Sequence, residues 1–123
     1  MHVAAGSPSV LIVDDDSDIR EGLEMLLESE GYGVYTAKNG RDALEQLASI
    51  PDLGLILLDL DMPVMGGREF LRTRREQGLE TDRPVVIFAA SNARDIDEVA
   101  GWVQKPADAA ELLEVIETTL AYS

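Results

Sequence analysis

Five short apolar runs alternate with longer stretches in which apolar residues recur every three or four positions. The runs cover residues 10–13, 34–37, 55–58, 85–89 and 102–104. Strands that are apolar on both sides belong to sheets that are covered on both faces, and their alternation with helical patterns is typical of parallel sheets. The pattern therefore predicts an α/β fold, a doubly wound sheet of five parallel strands with helices on both faces.

Four helices are predicted from their caps and from their apolar spacing. The first extends over about 16–31, and the second follows an Asn39 cap and covers 40–49. The third covers about 66–78, and the last begins with the capping-box spacing of 108–111. The residues expected to face the core are Ile19, Leu23, Leu26, Leu27, Ala43, Leu44, Leu47, Phe70, Leu71, Leu112, Leu113, Ile116 and Leu120.

The connection between the fourth and fifth strands is unusually short. Only eleven residues, 91–101, are available, whereas a parallel crossover needs about a dozen or more. A full helix does not fit there, so the helix expected at this point of the fold is short or absent. We expect a capped helical turn over 95–99, anchored by Ile96 and Val99.

Composition narrows the class of protein. A chain of 123 residues with 46% hydrophobic content predicts one domain, residues 9–123, preceded by a flexible tail, residues 1–8. The net charge of −14 disfavours direct binding of nucleic acid, which requires an excess of basic residues. The sequence has no cysteine, no signal peptide and no apolar segment of bilayer length, so we expect a cytoplasmic location and no membrane contact.

Charged residues follow three of the predicted strands at the points where these strands end. Asp14, Asp15 and Asp16 follow the first strand, Asp59 follows the third, and Lys105 follows the fifth. The carboxyl ends of parallel strands meet at one edge of a sheet, so these charges are expected to lie close together. Asp15 and Asp59, with one loop carbonyl, predict an open Mg²⁺ site.

An acid cluster, a cation site and a lysine together suggest phosphoryl transfer to a carboxylate, with Asp59 as the nucleophile. Such transfer depends on positioning and on neutralisation of developing charge, which Mg²⁺ and Lys105 can provide from two sides. Each motif alone also has a structural interpretation. Residues 14–16 fit a helix start, Asp59 before residues 62–63 fits a turn, and Lys105 fits a surface position before a rigid proline. Their occurrence together at three strand ends favours the chemical interpretation.

With these motifs the chain resembles the receiver domain of bacterial two-component response regulators over residues 9–121. The resemblance rests on the acidic pair Asp14 and Asp15, on Asp59 within Leu-Leu-Asp-Leu-Asp-Met-Pro-Val-Met-Gly-Gly, and on Lys105 and Pro106 before the last helix. It implies a flavodoxin-like strand order, 2-1-3-4-5. It also implies that Asp59 accepts a phosphoryl group from a sensor histidine kinase or a histidine phosphotransfer protein.

The resemblance assigns roles to the other residues of these motifs. Asp14 and Asp15 match positions that help to bind Mg²⁺, and Asp61 matches the position whose backbone carbonyl binds the metal. Lys105 matches the lysine that contacts the phosphoryl group, and its peptide bond to Pro106 is expected to be cis.

The sequence departs from the family pattern at the end of the fourth strand. Alignment of residues 84–90 places Ala89 where the family has a Thr or Ser whose hydroxyl bonds the phosphoryl oxygen. Ser91 could supply a hydroxyl from the loop, although two residues along a strand extend about 7 Å. Trp102 matches an aromatic position that normally couples to the missing hydroxyl, and a structural role in covering a sheet edge fits it equally well.

Three functions compete on this evidence. The leading hypothesis is a phosphoacceptor receiver that signals by protein–protein interaction and catalyses only its own phosphorylation and dephosphorylation. A pseudo-receiver that binds proteins independently of phosphorylation is the alternative, for which Ala89 is the best argument. The third is a phosphatase similar to haloacid dehalogenases, whose nucleophile and acid resemble residues 59–61, although that motif belongs on the first strand of a longer chain.

Overall fold

The computed structural model describes residues 8–121, which form one parallel sheet of five strands. The strands are β1 (Ser9–Val13), β2 (Gly33–Ala37), β3 (Leu53–Leu58), β4 (Val85–Ala89) and β5 (Gly101–Gln104). Their order is β2-β1-β3-β4-β5, so the predicted fold class and strand order are confirmed. Four strands begin one or two residues earlier than predicted. The predicted tail lies outside the described residues except for Pro8.

The helices are α1 (Ser17–Ser29), α2 (Gly40–Gln46), α3 (Gly67–Gln77) and α4 (Ala109–Ala121). A single 3₁₀ turn, Leu47–Ser49, completes the second predicted helix. Asn39 caps α2 through a hydrogen bond from the Asp42 amide, as predicted, and Gly78 ends α3 with a φ of 66°. No helix within residues 8–121 is long and apolar enough to cross a membrane.

Two hydrophobic cores lie on opposite faces of the sheet, because alternate residues of each buried strand point to opposite sides. On one face, Leu23 and Leu27 of α1 and Leu112 and Ile116 of α4 pack against the sheet. On the other face, α2 and α3 pack with the connection between β4 and β5. The buried members of this second core include Leu11, Val13, Ala43, Leu47, Ile56, Leu58, Phe70, Leu71, Ile87, Ala89, Ala93 and Ile96.

The connection between β4 and β5, residues 90–100, consists of turns and bends, and all of its residues are described. The prediction that the helix at this point is short or absent is confirmed, whereas the predicted helical turn over 95–99 is wrong. The turn lies earlier, where the Ile96 amide donates to the Ala93 carbonyl at 3.0 Å. Ile96 and Val99 do contact the core, but Ala93 is a third anchor that apolar spacing could not reveal.

Ion pairs hold this connection against α3. Arg68 donates to both carboxylate oxygens of Asp95, at 2.8 and 3.1 Å, and Arg75 pairs with Glu98. The side chains of both pairs are exposed, so each pair contributes little to global stability. The connection is therefore attached by three small apolar anchors and by polar contacts that salt screens.

Candidate functional site

Three carboxylates meet at the carboxyl edge of the sheet. Asp14 and Asp59 follow the neighbouring strands β1 and β3, and the Asp59 amide donates to the Val13 carbonyl at 2.9 Å. The Asp14 amide donates to the Ala37 carbonyl at 3.1 Å, so both residues extend the sheet ladder by one step. Asp14, Asp59 and the exposed Asp15 each offer an oxygen within 4.8 Å of the other two. The predicted cluster is therefore present.

Lys105 enters this cluster from the end of β5. Its amide donates to the Ala89 carbonyl at 2.8 Å, and its peptide bond to Pro106 is cis. Its Nζ lies 2.7 Å from Asp14 Oδ2 and 3.6 Å from Asp59 Oδ2. The lysine thus reaches both buried acids, and its shorter contact is with Asp14.

The electrostatic balance of the site is unfavourable to the Asp59 carboxylate. Burial raises the pKa of Asp59 above its ordinary value, and the neighbouring Asp14 raises it further. Lys105 and the backbone amides of Leu60 and Asp61 oppose this effect but do not cancel it. The Leu60 amide donates to Asp59 Oδ1 at 2.8 Å. One lysine does not fully compensate the buried acids, so a further cation is favoured here.

The acids at the start of α1 divide into two roles. Asp16 is the N-cap of α1, since its Oδ1 accepts hydrogen bonds from the amides of Asp18 and Ile19. Asp14 instead points into the cluster, where its Oδ1 also accepts from the Asp16 amide at 3.0 Å. Arg20 of α1 donates to the Asp14 carbonyl at 2.7 Å. Asp16 therefore caps the helix, whereas the Asp14 side chain lies in the acid cluster beside Lys105.

Two glycines allow α3 to begin against the backbone of Asp59. A Cβ at Gly67 would lie 2.4 Å from the Asp59 carbonyl, and one at Gly66 would lie 2.8 Å from the Leu60 carbonyl. Contacts this short exclude any larger side chain without a shift of the loop. The Gly67 amide donates to the Leu60 carbonyl at 2.9 Å. The glycine pair in the Met-Pro-Val-Met-Gly-Gly segment thus fixes the path of the chain after Asp59.

The residue at the end of β4 carries no hydroxyl. Ala89 is buried beside the site, and Ser91 lies two residues further on, after the strand has ended. Ser91 Oγ is 3.2 Å from Asp61 Oδ2, within hydrogen-bond distance, while Asp61 itself is exposed. The structure therefore places the Ser91 hydroxyl at the edge of the site, against Asp61.

Trp102 lies in β5 and contacts the connection that follows β4. Its Nε1 donates to the Ala93 carbonyl at 2.7 Å, and the Arg94 guanidinium lies 5.3 Å from the centre of its ring. The side chain is half-buried against the core that contains α2 and α3. Trp102 is thus linked through Ala93 to the loop that carries Ser91.

Phe88 is a site neighbour that the sequence pattern did not identify. Its ring centre lies 5.3 Å from Lys105 Nζ. An aromatic residue within an apolar strand is most often a core residue, and Phe88 does pack in the core of α1 and α4. Only the position of Lys105 in the folded chain reveals the second contact.

The family model for the response regulator receiver domain matches residues 10–117. The cell cycle transcriptional regulator CtrA of Caulobacter vibrioides is 41% identical over 86 residues, 70% of this chain and 36% of that protein. The transcriptional regulatory protein PrrA of Mycobacterium leprae is 36% identical, and the match covers 98% of this chain and 53% of that protein. The chain spans between about a third and a half of the length of these relatives.

Solved structures give the same result for the fold. The chemotaxis protein CheY4 of Vibrio cholerae superposes with a TM-score of 0.83 at 30% identity, covering 92% of this chain and 98% of that one. The response regulator TrrA of Thermotoga maritima, solved in complex with Mg²⁺ and BeF, gives a TM-score of 0.79 at 30% identity. The superposition covers 91% of this chain and 98% of the TrrA chain.

Proposed function

This chain belongs to the response regulator receiver domains, and on that premise we propose that it accepts a phosphoryl group on Asp59 and signals by protein–protein interaction. Receiver domains are signalling proteins rather than classical enzymes. The observation that carries the proposal is the convergence of Asp14, Asp15 and Lys105 on Asp59. A nucleophile, a cation site and a fixed ammonium are the groups that phosphoryl transfer to a carboxylate requires.

The residues present fit Mg²⁺. Three carboxylates offer oxygens within 4.8 Å of one another, and oxygen is the ligand that Mg²⁺ prefers. The raised pKa of Asp59 marks a place where added positive charge is favourable. Asp14, Asp15 and Asp59, with the backbone carbonyl of Asp61, would hold the ion, which when bound neutralises charge on the phosphoryl oxygens. The complex of TrrA with Mg²⁺ and BeF supports this assignment.

The transfer is a displacement at phosphorus. A carboxylate oxygen of Asp59 forms a bond to phosphorus, while the bond from phosphorus to the donor histidine nitrogen breaks and leaves its electron pair on that nitrogen. The Lys105 ammonium donates hydrogen bonds to the phosphoryl oxygens and balances their charge. In dephosphorylation, water attacks the phosphorus, inorganic phosphate leaves, and Asp59 regains its carboxylate. The chain therefore catalyses only its own modification.

The proposed phosphoryl donor is a sensor histidine kinase or a histidine phosphotransfer protein. An apolar groove beside the site runs between α1 and the residues after β5, lined by Ile19, Leu23, Phe88 and Pro106 together with Lys105. A donor protein seated there brings its phosphohistidine next to the ammonium. We place this exchange in the cytoplasm, which agrees with the absence of cysteine from the sequence.

A pseudo-receiver is the second candidate, because Ala89 lacks the family hydroxyl and no helix covers the described connection 90–100. Titration with Mg²⁺ and beryllofluoride, followed by NMR, separates the two. A phosphoacceptor shows shifts around Asp59 that extend to Trp102 or α4, whereas a pseudo-receiver shows no response to beryllofluoride. Steady release of phosphate from a phosphate ester would instead indicate the phosphatase.

A further inference from the structure

The Phe88 ring and the Lys105 ammonium face each other at the edge of the site. Nζ lies 5.3 Å from the ring centre, within the range of a cation–π contact. Phe88 is 8% exposed, and the Lys105 side chain is 16% exposed. Both groups are largely shielded from water, and shielding is the condition in which this contact is strongest.

We propose that Phe88 is a positioning residue for Lys105 and that its ring holds the ammonium beside Asp59 during phosphoryl transfer. This inference rests on the proposed function of Asp59. Lysine has a flexible four-carbon stem, so its ammonium needs external contacts to stay in one place. Among the residues described, three contacts of Nζ are seen: Asp14 at 2.7 Å, Asp59 at 3.6 Å and the ring.

The two carboxylate contacts change during the reaction, whereas the ring contact does not. A divalent cation held by the cluster would draw electron density from Asp14, which is the nearest partner of the lysine. Phosphorylation then converts the Asp59 carboxylate into an acyl phosphate. The Phe88 quadrupole is unaffected by either event, so the ring keeps attracting the ammonium throughout the reaction.

Ala89, at the end of β4, makes the placement of the Lys105 ammonium more important. Ala89 offers no hydroxyl to the phosphoryl group, so the direct side-chain contact from β4 is missing. Lys105 therefore provides a larger share of the stabilisation of the phosphoryl group. Its amide is already fixed to the Ala89 carbonyl at 2.8 Å, which places the stem of the lysine beside the preceding residue, Phe88.

The contact between Phe88 and Lys105 can be observed by NMR, independently of phosphoryl transfer. The sequence contains only two lysines, Lys38 and Lys105, so their signals are readily distinguished. Lys38 is exposed and serves as an internal reference. In protein labelled with ¹³C-lysine, the protons at the end of the Lys105 side chain should be shifted upfield of those of Lys38 by the ring. The shift should disappear in Phe88→Leu and persist in Phe88→Tyr. Equal shifts for the two lysines in the wild type would overturn the contact and the inference.

Function is tested with the same two variants. Leu keeps an apolar side chain in the core, and Tyr keeps the ring. We expect Phe88→Leu to weaken beryllofluoride binding and to slow phosphoryl gain from acetyl phosphate by about threefold, the scale of one cation–π contact. Phe88→Tyr should restore both properties. Mg²⁺ affinity, measured by calorimetry, should be the same in all three proteins, whereas general damage to the site would lower it as well.

The outcomes distinguish this inference from the proposed function. Equal rates of phosphoryl gain in the wild type and in Phe88→Leu would overturn the role of Phe88 and leave Asp59 as the acceptor. A Phe88→Leu defect that Tyr does not restore, or a parallel loss of Mg²⁺ affinity, would also overturn it. No phosphoryl gain by the wild type would overturn both, and the lysine spectrum would still report whether the contact exists.

Discussion

Lys105 Nζ lies 2.7 Å from Asp14 Oδ2 but 3.6 Å from Asp59 Oδ2. The one ammonium at the centre of the site thus compensates Asp14 more fully than Asp59. Burial and the neighbouring Asp14 raise the pKa of Asp59 despite this lysine. The Asp59 carboxylate is therefore held in an unfavourable charged state, which a further cation would relieve.

Asp59→Asn should stabilise the protein in buffer that contains EDTA. Because the folded pKa of Asp59 is raised, its charge destabilises the folded state at every pH above that value. We expect a gain of roughly 1 kcal/mol in unfolding free energy at pH 7, the scale of one charge interaction. The gain should shrink as the pH falls through the folded pKa towards the ordinary value of 3.8. Denaturant unfolding of both proteins between pH 7 and pH 4 measures this difference, and a gain that grows towards low pH would contradict it.

Asp15→Asn should weaken Mg²⁺ binding, whereas Asp16→Asn should not. Asp15 offers an oxygen to the acid cluster, while Asp16 caps α1. Asn caps helices about as well as Asp, so the second variant is a matched control with the same charge change at the next residue. We expect a loss of roughly tenfold or more for Asp15→Asn by calorimetry. Equal losses in the two variants would indicate a general effect of charge rather than ligation.

Ser91→Ala tests whether the site communicates with Trp102. Ser91 Oγ contacts Asp61, and Trp102 Nε1 donates to Ala93 two residues further along the same loop. Trp102 is the single tryptophan of the chain, so its fluorescence reports this loop. Beryllofluoride with Mg²⁺ should change that fluorescence in the wild type by at least twice as much as in Ser91→Ala. The same change in both proteins would exclude Ser91 from the coupling.

Gly67→Ala should be destabilising because its Cβ would lie 2.4 Å from the Asp59 carbonyl. A cost of about 1–3 kcal/mol is expected for overpacking of this kind. Gly22→Ala is the control, since Gly22 lies within α1 and a Cβ there meets nothing within 4 Å. That change should stabilise the protein by about 0.5–1 kcal/mol. Thermal unfolding of the two variants should therefore shift in opposite directions, and a stabilised Gly67→Ala would disprove the close approach of α3.

The sheet was predictable from the sequence because β1, β3 and β4 are apolar on both sides and because several helix ends carry their own caps. Asn39 and Gly78 mark helix ends by local chemistry, which does not depend on the rest of the fold. The acids after β1 and β3 were likewise expected to meet, because neighbouring parallel strands end at one edge.

Contacts between distant segments were not predictable in this way. Ala93 carries no local signal, and only the folded chain shows that it is buried in the core and that Trp102 donates to its carbonyl. Phe88 looks like any core aromatic until Lys105 is placed beside it. The predicted turn at 95–99 was wrong for the same reason, since the turn forms where the Ile96 amide donates to the carbonyl of the buried Ala93, a contact that apolar spacing did not indicate.

Intact-mass analysis after incubation with Mg²⁺ and acetyl phosphate tests the central claim most directly. Asp59→Asn is the control, and a known receiver domain labelled in parallel verifies the donor. We predict that the wild type gains the mass of one phosphoryl group and that Asp59→Asn gains none. Absence of this gain in the wild type, under conditions that label the known receiver, would contradict the account and favour a pseudo-receiver.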